Sequence, residues 1–251
     1  MPSFWENIRF PDDHSAEGED MATYVSYPVG ADSVPAIIVV QEAFGVNGHM
    51  TKVCDQFAEQ GFVAVSPAIF HRQSPNPKIP YGDPSVPTYM GNMQGQEIID
   101  DINQTIDYLQ NMYPRTHGQK IGIVGYCLGG RVTYLAATSC PGLSAASVYY
   151  GGGVNETFPD GINPLSLTEN IEIPVMGNFG ETDTRPSPEH VAEMEESLKR
   201  NGKTYDFKIY PGAGHGFNCD ERDSYDEAAA KDALDRTLCW FNKYLKKKLN
   251  K

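Results

Sequence analysis

The chain has 251 residues, of which 40% are hydrophobic and 11% aromatic, enough to bury a core and incompatible with global disorder. Lys and Arg number 20 against 33 Asp and Glu, a formal charge of −13. A chain this acidic repels polyphosphate, and the short block Lys246-Lys247-Lys248 does not offset it, which excludes nucleic acid as the main partner.

At the N-terminus, MPSFWENIRFPDD lacks the basic-then-apolar pattern of a signal peptide. No later stretch approaches the roughly 18 to 20 uninterrupted apolar residues of a spanning helix. Residues 36–40, Ala-Ile-Ile-Val-Val, form a short continuous apolar run, the pattern of a strand buried on both faces. Met50, Val53, Cys54 and Phe57 follow at helical spacing, and Gly61 stands where a C-cap is expected. Residues 62–65 read as a second buried strand. The segment 71–96 then breaks the rhythm with Pro75, Pro77, Pro80, Pro84 and Pro87; prolines at that density predict an irregular excursion without helix or central strand.

Ile98, Ile102, Ile106 and Leu109 recur at near-helical period, and residues 121–124 form a strand that runs into glycines. Further strands are predicted at 145–149, 171–176 and 205–209. Val191, Met194 and Leu198 mark a helix face between the last two, and Leu234, Leu238, Phe241 and Leu245 mark a final one. Strand and helix alternate without a linker-like break. That predicts a single α/β domain over residues 1–251, with a mostly parallel sheet and helices on both faces.

The stretch most informative about chemistry is Gly125-Tyr126-Cys127-Leu128-Gly129-Gly130-Arg131. A buried strand meets Gly-x-Cys-x-Gly and a helix pattern follows at once, the nucleophile-elbow arrangement with cysteine in the usual place of serine. The turn is so sharp that side chains two positions either way would collide. Small residues there let the thiol stand at the helix N-terminus, where free N–H groups and the helix dipole favour thiolate and supply an oxyanion donor from Leu128. Phosphate-binding readings fail: Arg131-Val132 stands where a P-loop needs Lys-Ser/Thr, and Cys127 breaks the Gly-x-Gly of a dinucleotide fingerprint. The five cysteines, Cys54, Cys127, Cys140, Cys219 and Cys239, form an odd set with no Cys-x-x-Cys pair. They read as free thiols in a reducing compartment, hence a cytoplasmic location. Cys54, Cys140 and Cys239 are expected in buried apolar positions.

A cysteine nucleophile needs a base, and the base an orienting acid. His215 lies in Gly212-Ala213-Gly214-His215-Gly216-Phe217, just past a predicted strand, where an imidazole can reach the elbow. The acid falls in Gly180-Glu181-Thr182-Asp183-Thr184-Arg185; Glu181 and Asp183 both qualify, and Asp183 is preferred because it lies further along the loop. The other histidines, His14, His49, His71, His117 and His190, share no spacing, so neither a metal site nor a cofactor is expected.

These motifs, with Gln41-Glu42-Ala43-Phe44-Gly45-Val46-Asn47 and the order Cys, Asp, His, resemble the dienelactone hydrolase family of α/β hydrolases. The resemblance implies a Cys127-His215-Asp183 triad, with oxyanion donors from the amides of Leu128 and Ala43. It implies that Glu42 helps switch the thiol to thiolate, and that Arg72 anchors a substrate carboxylate, a role suited to a bidentate guanidinium. The family's second carboxylate-binding arginine falls at Cys219 here; Arg222 stands close by, with no sequence signal for where it points. The expected activity is hydrolysis of a small ester or lactone through a thioester acyl-enzyme by a monomer without a membrane partner. The alternative is a broader carboxylesterase or thioesterase using the same triad.

Overall fold

Parallel strands buried on both faces explain the continuous apolar runs, and the computed structural model, which describes residues 1–10, 20–30 and 32–246, assembles them into one sheet. His14, Lys247 and Lys248 lie outside the described residues. The strands are β1 (Ser3–Ile8), β2 (Met21–Ser26), β3 (Ala36–Val40), β4 (Val63–Pro67), β5 (Ile121–Tyr126), β6 (Leu143–Tyr149), β7 (Val175–Gly180) and β8 (Tyr205–Tyr210). Their spatial order is β1-β2-β4-β3-β5-β6-β7-β8. All pairs from β4 to β8 are parallel, whereas β2 runs antiparallel to both β1 and β4.

The helices are α1 (Gly48–Glu59), α2 (Val86–Gly91), α3 (Gly95–Asp107), α4 (Leu128–Ser139), α5 (Pro188–Arg200) and α6 (Glu227–Leu245). Successive residues of β3 face opposite sides of the sheet, as a period of two requires. Ile37 and Val39 lie in one apolar layer with Phe57 of α1 and Phe241 of α6, while Ala36, Ile38 and Val40 lie in the other with Ile102 of α3, Leu135 of α4 and Val191 of α5. Each such side chain taken fully out of water contributes about 1.5 to 3 kcal/mol. Two apolar layers thus hold the sheet centrally and bring the C-terminal ends of β3, β5, β6, β7 and β8 to one edge. No helix among the described residues is long and apolar enough to cross a membrane.

The α/β architecture agrees with the sequence reading; several details do not. The N-terminal β1–β2 pair was not predicted: β1 is a mostly exposed edge with polar residues such as Glu6 and Asn7, and in β2 the polar Thr23 and Ser26 are buried among the apolar residues, which hides its alternation. The strand expected at 171–176 begins at Val175 instead and runs to Gly180. Pro174 has no N–H for a ladder bond, and the register β7 makes with β6 and β8 recruits Gly177 and Asn178, whose propensity is poor. The proline-rich excursion contains a short helix after all: Pro87 sits in the first turn of α2, where no intrahelical N–H is required. Finally, Cys54 and Cys140 are buried as expected, but Cys239 is exposed on α6.

Candidate active site

At the β5–α4 junction Cys127 adopts φ 55° and ψ −117°, outside the comfortable regions for any side-chain-bearing residue. Its N–H is held by Tyr149 O at 3.1 Å, and its carbonyl accepts from Gly130 N at 2.9 Å. The flanking glycines permit this turn. A Cβ on Gly125 would lie 2.0 Å from Gly129 O, and one on Gly129 would lie 2.4 Å from Val40 O, so backbone meets backbone with no room for a methyl. Leu128 opens α4, and its N–H therefore has no intrahelical acceptor.

The loop after β7 carries Asp183, and the loop after β8 carries His215. Thr182 joins the two, since its N–H and Oγ1 both donate to Ala213 O, at 3.0 and 2.9 Å. Asp183 is 4% exposed; its Oδ1 accepts from the Arg185 amide at 2.8 Å and its Oδ2 lies 2.8 Å from His215 Nδ1. An ionised carboxylate only accepts, so Nδ1 carries the proton. The other ring nitrogen, Nε2, lies 3.1 Å from Cys127 Sγ. Glu181, the other acid the sequence allowed, is occupied differently: Oε2 accepts from Gly212 N at 2.9 Å. Burial disfavours a charged imidazole at His215, but the Asp183 carboxylate and the Cys127 sulfur outweigh it and raise its pKa to about 10.

A cleft of about 330 Å3 opens over these groups, lined by Cys127, Leu128, Asp183, His215, Arg185 and Met90. Its position at the C-terminal strand ends is where open α/β sheets place their ligands. Met90 comes from α2, so the proline-rich excursion forms one wall.

Glu42, at the end of β3, is fully buried, and neither carboxylate oxygen has a hydrogen-bond partner. Burial raises its pKa, against His49, Arg222 and His215. Arg222 Nη1 lies 3.7 Å from Glu42 Oε1. The guanidinium reaches inward by packing on Gly216, at φ 78°, where a Cβ would lie 2.4 Å from Arg222 Nη1. Cys219 instead meets Tyr81 Oη at 3.3 Å. No described hydrogen bond uses the Ala43 N–H.

Arg72 does not join this site. Its Nη1 donates to Asp101 Oδ1 at 2.6 Å, beside His71, and it lines a separate small cavity with Ile98 and Met93. Asp101 is buried on α3, and a buried carboxylate holds its cation firmly because it has no water to replace it. Sequence reasoning also missed Arg185 and Tyr150. Arg185 was detectable as the one cation in the acid loop. Tyr150, which packs its ring edge-on to His215 at 5.3 Å, left no signal.

The model of the dienelactone hydrolase family matches residues 21–245. A Salmonella typhimurium protein named "Putative carboxymethylenebutenolidase" is 33% identical over 241 residues, covering 93% of this chain and 86% of that protein. A Synechocystis protein of the same name is 34% identical over 230 residues, covering 90% of this chain and 93% of that one. The crystal structure titled a "Putative Dienelactone Hydrolase" from Klebsiella pneumoniae superposes with a TM-score of 0.86 at 30% identity, over 97% of this chain and all of that one. With its sheet order, its elbow and a match along nearly the whole chain, this protein belongs to the dienelactone hydrolase family.

Proposed function

We propose that the chain hydrolyses a small lactone or ester by acyl transfer through Cys127, His215 and Asp183. The observation that carries this reading is the unbroken line of contacts from Asp183 Oδ2 through His215 to Cys127 Sγ, at 2.8 and 3.1 Å, on the floor of an open cleft.

The Cys127 thiolate attacks the carbonyl carbon, and a C–S bond forms. The amides of Leu128 and Ala43 hold the oxyanion. As the C–O bond breaks, protonated His215 gives its Nε2 proton to the leaving alkoxide. Neutral His215 then takes a proton from water, whose oxygen attacks the thioester. The thiolate departs, and the acid is released. For a lactone both products remain one molecule, and the ring opens to a hydroxy acid or its keto tautomer. Asp183 keeps the imidazole oriented and stabilises its charge. The buried carboxyl of Glu42, which has no hydrogen-bond partner, is suited to the role its family resemblance assigns, accepting the thiol proton when substrate enters.

Because Arg72 is committed to Asp101, a second reading has support: a broader carboxylesterase or thioesterase working through the same three residues. Turnover of a dienelactone beside a neutral aryl ester separates the two. His215→Ala should lower kcat/KM for either substrate by about 10^3-fold or more; full retained activity would overturn both readings.

The His215 pKa has a pH consequence. Protonated His215 is the acid for the leaving group, so kcat/KM should fall as pH rises through about 10. Asp183→Asn removes a group that raises this value, so the alkaline limb should move to lower pH. The stability link has the same sign. A raised pKa confers stability that is complete below the unfolded value of about 6.5 and is lost as pH rises through about 10. Thermal melts from pH 6 to 10.5 on wild type and His215→Ala check this: only wild type should show that loss.

A further inference from the structure

With Arg72 turned away, the cleft holds one permanently charged side chain among its described lining residues: Arg185. Its backbone is fixed, since its N–H donates to Asp183 Oδ1 at 2.8 Å and Pro186 follows. Its side chain is not enclosed. The guanidinium is about half exposed and makes one ion pair, Nη2 to Glu156 Oε2 at 2.5 Å, with Glu156 exposed to a similar degree. Glu156 is itself held in place: its N–H donates to Gly153 O at 3.1 Å, and its carbonyl accepts from Arg131 Nη2 at 2.8 Å. Arg131 is buried, its guanidinium against the Phe158 ring at 3.5 Å.

We propose that Arg185 is the specificity-determining residue that binds an anionic group on the substrate, and that Glu156 is a positioning residue that competes with that anion for the guanidinium. This rests on the hydrolase reading above. An exposed ion pair is a weak clasp, so an incoming carboxylate exchanges for Glu156 at little cost. Arginine presents five donors in a planar fork, and only one is engaged among the described residues, which leaves an edge for a two-bond grip on the substrate anion. The fork is carried by the loop that also orients His215, so gripping the anion aligns the scissile carbonyl with Cys127 Sγ. Once Arg185 turns to the ligand, the Glu156 carboxylate loses its partner cation and repels the bound anion, so Glu156 opposes the grip it competes with.

The opposed roles give opposed effects, which a merely structural ion pair would not. Three probes suffice: 4-nitrophenyl acetate, mono-4-nitrophenyl glutarate with an acyl-side carboxylate, and 4-carboxyphenyl acetate with an alcohol-side carboxylate. The readout is the ratio of kcat/KM for each anionic probe to that for the acetate. Arg185→Gln should lower that ratio for at least one anionic probe by about 10-fold or more, mainly through KM, and Arg185→Lys should restore part of it. Glu156→Gln should raise the same ratio about 2-fold to 5-fold, and added salt should erode it in wild type. If both substitutions leave both ratios unchanged, or move them in the same direction, the proposal is overturned while cleavage of the acetate leaves the hydrolase reading standing. If Cys127→Ala cleaves the acetate as wild type does, the hydrolase reading is what has failed, and the proposal falls with it.

Discussion

Cys127→Ala is expected to keep the fold and to lose turnover of lactone and ester alike, on the order of 10^4-fold or more in kcat. The thiol is the only group at the elbow that can form the acyl bond, and its one hydrogen-bond contact is with His215 Nε2. Removing it therefore takes away chemistry and little packing. Cys127→Gly sharpens the expectation. A residue with a Cβ at φ 55° and ψ −117° stores about 1 to 3 kcal/mol of backbone strain. Glycine relieves that strain but loses about 0.5 to 1 kcal/mol of chain entropy. The net gain is about 1 kcal/mol, or about 2 to 4 °C in Tm for a chain of this size. An inactive Cys127→Gly with a raised Tm indicates that the strain is held for function. A lowered Tm would show that the turn is unstrained and the energetic account of the elbow wrong.

The second large effect is on stability. Gly125→Ala is expected to cost about 3 kcal/mol or more, above the usual range for overpacking, because the added methyl would lie 2.0 Å from Gly129 O and 2.4 Å from Thr133 Oγ1. The first of these is backbone in the opening turn of α4, and it can move only if the helix leaves β5. The corresponding drop in Tm is about 6 to 12 °C, a large share of the 5 to 15 kcal/mol that holds a typical domain together. Gly91→Ala is the control, since a Cβ at the end of α2 meets nothing within 4 Å. Urea titration of the two variants tests the contrast; equal midpoints would contradict it.

The turn that carries Cys127 and the loops that carry Asp183 and His215 were legible in the chain because each sits at a local transition that physics writes into sequence. The elbow needs glycines two positions from Cys127, a crowding constraint between near neighbours. The histidine loop needs flexible residues around it, and both loops begin where an apolar strand ends. The alternation of β3, β4, β5, β6 and β8 with α1, α3, α4, α5 and α6 was legible for the same reason: burial on two faces and on one face leave different periods over a few residues.

Other features depended on contacts between residues far apart in the chain. Arg72 aligned with an expected anchor, yet whether it faces the cleft depends on Asp101, a buried carboxylate 29 residues away that captures it. Arg222 and Cys219 differ by three positions, and which of them reaches Glu42 depends on the space above Gly216. Arg185 became a cleft residue only when the β7 loop was folded against Gly152. The N-terminal strand β1 is mostly exposed, and the short β2 runs antiparallel to β4 along its open edge, a pairing between residues about 40 positions apart. By itself the sequence determined the strand–helix alternation from β3 onward and the glycine-flanked turn at Cys127, since these follow from local sterics and from burial periodicity. The tertiary structure alone decided which cations face the cleft, because a long flexible side chain points toward whichever partner the fold brings near, and that partner is not its neighbour in the chain.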